Sequence, residues 1–329
     1  MEYRYFGRTG MKVSRVGMGT MQFGSTIAEK DAFRLLDTAV DLGINLIDTA
    51  NSYGENVHDK SVGHRGYCEE IIGKWFAQGG GRREKIMLST KIFNNMADAD
   101  EGPNDYPGLS APRIRKHIDD CLRRLKTDHI ELMMMHNYPN HTAQPWDEVW
   151  EAFEVARYQG KIDYVCSSNF TTYQLCEAQF SAKQRGLFGL AGEEHHYNLF
   201  TRLPELEVFP AAEKLGLGVI TWCPMENGLL TEYGEELLPK LPHQPNSRMP
   251  QVKAFNALCA ELGEKPSDVG IAWIVNNPIV SAPLLGPDNP EMLKNSMHAL
   301  EIKLDDEVLR RLDEIFPPID SLANSNFKR

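Results

Sequence analysis

Along almost its whole length the chain alternates between short apolar runs and segments whose apolar positions recur every three or four residues. The first pattern is that of buried strands, the second that of helices with one face on a core. Apolar runs at 13–19, 44–47, 86–88, 130–135, 161–166, 187–191, 218–222 and 280–284 predict strands, the run at 187–191 being the weakest. Helices are predicted over 30–42, 69–77, 146–158, 172–184, 203–215, 249–262, 267–275 and 305–315. Another runs to Lys126 from Ser110-Ala111-Pro112, with serine as its cap and proline in its first turn. About eight strands with intervening helices make the expected fold class α/β, a (β/α)8 TIM barrel. The segment 3–6 with Lys12 predicts a short N-terminal β-hairpin across the barrel floor. The C-terminal helix is followed by a polar tail from Asp320, read as disordered or folded over the site.

No linker divides the chain, so residues 1–329 are expected to form a single barrel domain. The Pro/Asn/Gly-rich segments 97–110 and 239–250 each fall between a strand and the next helix, where insertions in a barrel overhang the active face. Gly79-Gly80-Gly81 precedes a strand rather than a helix, and neither GxGxxG nor a P-loop occurs, so no phosphate cradle of those kinds is expected. The polar block 55–67, with His58 and His64, is assigned no chemistry.

The net charge of -11 argues against nucleic-acid partners and anionic membrane surfaces. No apolar run approaches the roughly 20 residues of a membrane span. The first residues lack the pattern of a secretory leader, so a cytoplasmic protein is expected. Oligomeric state is left open. The six cysteines are scattered without a CxxC, which reads as reduced thiols, and no histidines stand at zinc-helix spacing, so no metal is expected.

Chemistry gathers at the predicted strand ends. Asp48-Thr49-Ala50-Asn51-Ser52-Tyr53-Gly54 follows one apolar run, Ser89-Thr90-Lys91 the next, and His136 the one after. A tyrosine phenol normally titrates near pH 10; a lysine beside it favours the phenolate and brings it toward a working range. The lysine needs a counterion in a closed site, and Asp48 can serve. The roles expected are Tyr53 as proton donor and acceptor, Lys91 as its tuner, Asp48 as the lysine's partner, and His136 as the group orienting a substrate carbonyl. The competing structural reading makes Asp48 and Lys91 a buried stabilising pair, with Tyr53 and His136 as satisfied core residues. Met133-Met134-Met135 reads as strand core, and Met21, Gln22 and Phe23 are candidates for a substrate pocket.

These residues resemble the aldo-keto reductase superfamily over essentially the whole chain. Phe6-Gly7-Arg8-Thr9-Gly10 and Gly17-Met18-Gly19-Thr20-Met21 look like its first hairpin and strand, and Asp48, Tyr53, Lys91 and His136 match its catalytic tetrad. Ser167-Ser168-Asn169-Phe170 and Tyr197-Asn198-Leu199 match its nicotinamide-side motifs. Trp222-Cys223-Pro224-Met225 with Gly228-Leu229-Leu230 look like its ring-stacking and pyrophosphate loop. The segment 75–81 and the long loop before it are closest to a bacterial branch that also includes sugar-nucleotide ketoreductases.

The resemblance implies a barrel that binds NADP(H) or NAD(H) and passes hydride to a small-molecule carbonyl while Tyr53 supplies the proton. Gly19, Thr20, Met21 and Asp48 would lie along the cofactor; Ser168 and Asn169 would bond the carboxamide, and Trp222 would stack on the ring. Cys223, Pro224, Met225, Gly228 and Leu230 would cover the pyrophosphate. Gly286, Asp288, Met292 and Asn295 would hold the adenosine end. Phe23, Tyr53 and His136 would meet the substrate.

Two positions depart from the pattern. Glu194 stands where the family usually has glutamine, so an ionised carboxylate could accept from the carboxamide but not donate. Asp288 and Met292, with Ser296, stand where cationic or amide groups commonly meet a 2′-phosphate. This predicts a weakened NADP(H) preference, with NAD(H) tolerated or preferred unless Lys294 or a loop lysine compensates. Besides a reductase of aldehydes, ketones or keto-sugars, the resemblance leaves open a cofactor-retaining regulatory or redox-sensing barrel, as in the ion-channel β subunits. It also leaves open a redox-neutral enzyme that oxidises a sugar transiently.

Overall fold

The structure is a computed structural model, described here for residues 1–56, 59, 61–96, 107–138 and 144–319. The polar tail from Asp320, His58 and most of the 97–110 segment lie outside the described residues.

β1 (Tyr3–Tyr5) and β2 (Lys12–Ser14) form an antiparallel hairpin. The other strands are β3 (Gly17–Gly19), β4 (Leu46–Asp48), β5 (Met87–Ile92), β6 (Ile130–Met135), β7 (Ile162–Ser168), β8 (Leu190–His196), β9 (Gly218–Trp222) and β10 (Val280–Leu285). They pair in parallel and in chain order, and β10 closes on β3. Helices alternate with them, among them Glu29–Asp41, Tyr67–Phe76, Ala111–Leu125, Trp146–Tyr158 and Thr172–Gln184. The expected closed (β/α)8 barrel with its hairpin is therefore the observed fold. Among the described residues no helix is long and apolar enough to cross a membrane.

Period-two alternation divides the core in two. Met133 and Met135 of β6 pack outward with the helices, whereas Leu132 and Met134 join Leu46, Cys166, Ala191, Ile220 and Ala282 inside the barrel. Phe6, carried in by the hairpin, is fully buried in this inner cluster. A Cβ at Gly192 or Gly218 would come within 2.3 or 2.4 Å of its ring, so these strands carry glycine to admit it. Phe6→Ala should cost about 3–5 kcal/mol of unfolding free energy in a urea titration, through lost burial and a floor cavity. A loss under about 1 kcal/mol would show that the floor collapses around the deletion.

The observed elements differ from the predicted ones for identifiable reasons. The run 13–19 is split between hairpin and barrel, the Ser14 hydroxyl donating to Val16 O at 2.7 Å across the break. The strand read at 86–88 continues through Ile92, and those read at 44–47 and 161–166 extend to Asp48 and Ser168. Polar residues at these C-terminal ends conceal the strands' true length. The strand read at 187–191 instead spans Leu190–His196, after a turn at Gly189 with φ 75°. The helix read at 203–215 is a short turn, Leu203–Glu205, followed by Val208–Leu215. Pro210 thereby falls in a first turn, where its missing N–H has no helical partner to lose. Ser110 occupies its N-cap position, but its side chain accepts no capping bond; the amide of Ala111 is satisfied by Glu148 at 2.8 Å from the neighbouring helix.

Candidate active site

Three consecutive strands bring an acid, a base and their partners to the C-terminal mouth of the barrel. The alternation that sends Leu46 inward sends Asp48 inward one step nearer the mouth, and Lys91 and His136 likewise end the inner faces of β5 and β6. Beyond β4 the chain stays bonded to β5, with Thr49 N donating to Ser89 O at 2.9 Å and Asn51 N to Lys91 O at 3.0 Å. That short run carries Tyr53 over Lys91, whose Nζ lies 5.2 Å from the ring centroid. The His136 ring meets the Tyr53 ring edge-on at 5.8 Å. The tetrad inferred from spacing is thus a physical cluster.

Lys91 is fully buried. Its ammonium donates to Asp48 Oδ2 and, at 3.0 Å, to Thr49 O, while Ser89 Oγ donates to Asp48 Oδ1 at 2.8 Å. Burial acts to lower the Lys91 pKa, but Asp48, Glu194 and Tyr53 together outweigh it and hold it raised. The ammonium stays charged. Tyr53 shows the opposite balance: burial raises its pKa, assisted by Asp48 and Glu194, and Lys91 only partly offsets this. The expectation that Lys91 brings the phenol into a working range is corrected here. Tyr53 rests protonated, the form an acid needs.

His136 is lowered to about 3 by burial and by the Lys91 charge, so its ring is neutral across the physiological range. Its Nδ1 lies 3.4 Å from Asn94 Nδ2, which also donates to Ser52 Oγ at 3.2 Å. An amide N–H can only donate, which leaves His136 Nδ1 as acceptor and Nε2 as the N–H available to a substrate oxygen.

Glu194 reaches the site through an irregularity in β8. Residues 190 to 193 of β8 span the same ladder as 165 to 167 of β7, so β8 holds one extra residue. Such a bulge reverses the alternation. Ala191 and Glu194 both face the barrel axis although they are three apart, and Glu193 faces outward to accept from Ser167 Oγ at 2.5 Å and Phe170 N at 2.9 Å. Glu194 Oε2 stands 3.3 Å from Lys91 Nζ. Burial and Asp48 raise its pKa against the pull of Lys91. Read from sequence as a carboxamide contact, Glu194 is in this structure a second carboxyl on the lysine.

The remaining candidates line the rim. Thr20 is buried, with its hydroxyl donating to Asp48 O at 2.8 Å, next to Gly19 at the end of β3. Met21 is exposed, whereas Phe23 is fully buried in the outer core and offers no surface to a substrate. Asn169, in the left-handed region at φ 60°, donates to Ser168 Oγ at 2.9 Å and accepts from Trp222 Nε1 at 3.0 Å. The Trp222 indole lies flat against His196 at 4.2 Å. Gly286, Asp288, Met292 and Asn295 form an exposed stretch beyond β10, with Asn289 capping the Pro290–Asn295 helix.

The loop after β9 is strained. Cys223, Glu226 and Asn227 all have positive φ (56°, 45° and 55°), and Pro224, Met225, Gly228 and Leu230 complete the turn. Such strain persists only where the surroundings impose it. Here Glu226 imposes it: one oxygen accepts from Arg248 at 2.8 Å and Gln244 at 3.1 Å, the other from Asn198 at 2.7 Å and His196 at 3.0 Å. Burial opposes ionisation of Glu226, but these bonds hold its pKa lowered, and bonds to Cys223 and Glu226 raise His196 to about 9 against burial. Cys223 stands beside this pair, the three side chains' polar atoms within 4.8 Å of one another, while the Arg248 guanidinium shares the Glu226 carboxylate with His196. Sequence reasoning missed Glu226, Arg248 and Asn94. The bonds that tie them into the site span 18 to 42 positions, and no local spacing signals them.

A 590 Å³ cleft bounded by Arg4, Glu205, Glu213 and Val280 lies at the opposite end of the barrel, away from this chemistry.

Comparison with known proteins converges on one family. The Aldo/keto reductase family model matches residues 15–316. The chain is 47% identical to YrpG of Bacillus subtilis (strain 168), described as an uncharacterized oxidoreductase, over 96% of each chain. It is 30% identical to a probable voltage-gated potassium channel subunit beta of Oryza sativa subsp. japonica, covering 100% of this chain and 98% of that one. A putative aryl-alcohol dehydrogenase of Schizosaccharomyces pombe (strain 972 / ATCC 24843) is 26% identical over 96% of each.

Proposed function

Because this chain belongs to the aldo/keto reductase family, we propose that it is an oxidoreductase reducing an aldehyde, ketone or keto-sugar carbonyl to the alcohol with NADPH or NADH. The observation that carries the reading is the Tyr53–Lys91–Asp48 cluster with neutral His136 beside it at the barrel mouth. The residues fit a nicotinamide dinucleotide: a flat indole at Trp222, with amide and hydroxyl groups at Asn169 and Ser168. Bound there, a reduced nicotinamide would be the hydride source for the carbonyl carbon. His136 Nε2–H would orient the carbonyl oxygen, and Tyr53 would give that oxygen its proton. Lys91 would stabilise the phenolate left behind until solvent returns its proton.

Exposed Asp288 repels a 2′-phosphate, so NADH is expected to bind at least as tightly as NADPH, with Lys294 the nearby cation that could offset it. The test titrates the purified protein with each reduced cofactor. It then offers aromatic aldehydes, diketones and keto-sugars while the reduced-nicotinamide absorbance is followed. Saturable binding with carbonyl-dependent loss of absorbance is expected. A clear preference for NADPH would overturn the cofactor assignment, and no turnover on any substrate would overturn the reductase. Tight binding without turnover would favour a cofactor-retaining regulatory barrel, a reading that the channel-subunit relatives support.

A further inference from the structure

Two buried carboxyl groups lean on one buried ammonium at the mouth. Asp48 and the Thr49 carbonyl take hydrogen bonds from Lys91, whereas Glu194 Oε2 lies 3.3 Å from Nζ without hydrogen-bond alignment. That oxygen is buried and has no hydrogen-bond partner. Ionised, Glu194 would be a second negative charge on a cation already matched by Asp48, removed from water, with a lone pair unsatisfied. The groups around it offer no relief. Asp48 faces it from β4, Lys91 from β5, and Tyr53 from the loop after β4. Cys166 lies on β7, held as a neutral thiol by burial, and apolar Ile220 pairs with Glu194 from β9. On β8 itself, Glu193 lies behind it and is bonded to His195 at 3.0 Å. Among the described residues, Lys91 is the one cation that faces it.

Building on the reductase reading, we propose that Glu194 carries a proton in the resting protein and acts as a positioning residue for the Tyr53–Lys91 pair. While neutral, it leaves Lys91 to Asp48 and Tyr53. Once ionised, it sets a second negative charge across Lys91 and makes Tyr53 a weaker proton donor. Burial and Asp48 both favour the neutral form. The bulge in β8 is the device that aims this acid at the lysine.

Three measurements on Glu194→Gln test this, and two need no cofactor. In the infrared spectrum of the unliganded protein at neutral pH, the wild type should show a protonated-carboxyl stretch that the variant lacks and that fades with alkali. Absence of that difference overturns the proposal even if the protein is no reductase. Thermal stability supplies the second readout. A carboxyl whose folded pKa is raised stabilises fully below its unfolded pKa of 4.5, and that contribution is lost as pH rises through the folded value. The melting temperature of Glu194→Gln relative to wild type should therefore climb from acid to mildly alkaline pH; a constant offset means a merely structural role.

The third readout is carbonyl reduction at saturating cofactor. Wild-type rate should fall as Glu194 ionises, while the variant holds its rate and is about tenfold faster at the alkaline end, the equivalent of about one pKa unit in Tyr53. Glu194→Met, neutral but unable to hydrogen-bond, should flatten the profile equally. Parallel profiles for wild type and both variants would overturn the proposal. If turnover is absent throughout while the infrared band is present, the proton is located and the reductase reading alone fails.

Discussion

Tyr53→Phe is expected to lower carbonyl reduction by about 10²–10⁴-fold while leaving reduced-cofactor binding unchanged within about twofold. The change removes one oxygen and keeps a ring of the same shape beside Lys91 and His136, so packing at the mouth is preserved. What disappears is the acid proposed to protonate a forming alkoxide; of its described neighbours, His136 is neutral and Lys91 is engaged by Asp48 and Thr49. The pH dependence carries a sign as well. Burial raises the Tyr53 pKa, so the acid form persists above the usual tyrosine range and reduction should not decline through loss of the phenol's own proton below about pH 10. Oxidation of an alcohol needs the phenolate, and its rate should keep climbing with pH. Initial rates in both directions, with cofactor affinity from fluorescence titration, test this. Retention of more than about a tenth of wild-type turnover in Tyr53→Phe would move the proton-donor role elsewhere.

Lys91→Met should cost about 3–5 kcal/mol of stability and abolish turnover. Methionine fills similar volume, so the loss is electrostatic: Asp48 is left buried without its cation, and Glu194 beside it can ionise only against a bare carboxylate. Such a site can be neutralised only by taking up protons that the unfolded chain does not hold at neutral pH. The variant's deficit should therefore grow as pH rises from about 5 to about 8, because the unfolded state then binds fewer protons than the native one. Denaturant unfolding of the full chain at those pH values gives the answer. Pairing the change with Glu194→Gln should recover part of the loss, since the two residues share one interaction and their effects are not additive. A deficit of under about 1 kcal/mol that does not vary with pH would mean that water reaches the carboxylates and that the ion pair matters little to folding.

Much of this protein is readable from one dimension. The alternation of apolar runs and helical periods determines a barrel because both periodicities are local and there are enough of them to close a sheet on itself. The tetrad is equally legible: Asp48, Tyr53, Lys91 and His136 follow successive apolar runs, and in a parallel barrel every strand's C-terminal end faces one mouth. Local pattern fails at the strand ends themselves. Ser89, Thr90, Lys91 and Ser168 are strand residues, yet their polarity ends the hydrophobic signal early. The same effect hid most of β8, where Glu193 and Glu194 lie inside a strand.

What only the tertiary structure decided is direction and environment. One extra residue in β8 turns Glu194 toward Lys91 instead of Cys166's outward neighbour Ser167, a direction that the polar alternation of the two adjacent glutamates does not give. Phe23, close to the mouth in sequence, is sealed in the core. Arg248, from the insertion at 239–250, holds Glu226 and with it the strained turn after β9. The pKa of Tyr53 rises where the pairing with Lys91 alone argued for a fall, because a pair of residue types sets the sign of a Coulomb interaction but not the amount of water removed from around it. Residue types and their order therefore determined the fold and which four groups meet at the mouth. Burial and side-chain direction, which arise only when distant segments pack, determined which of those groups hold protons.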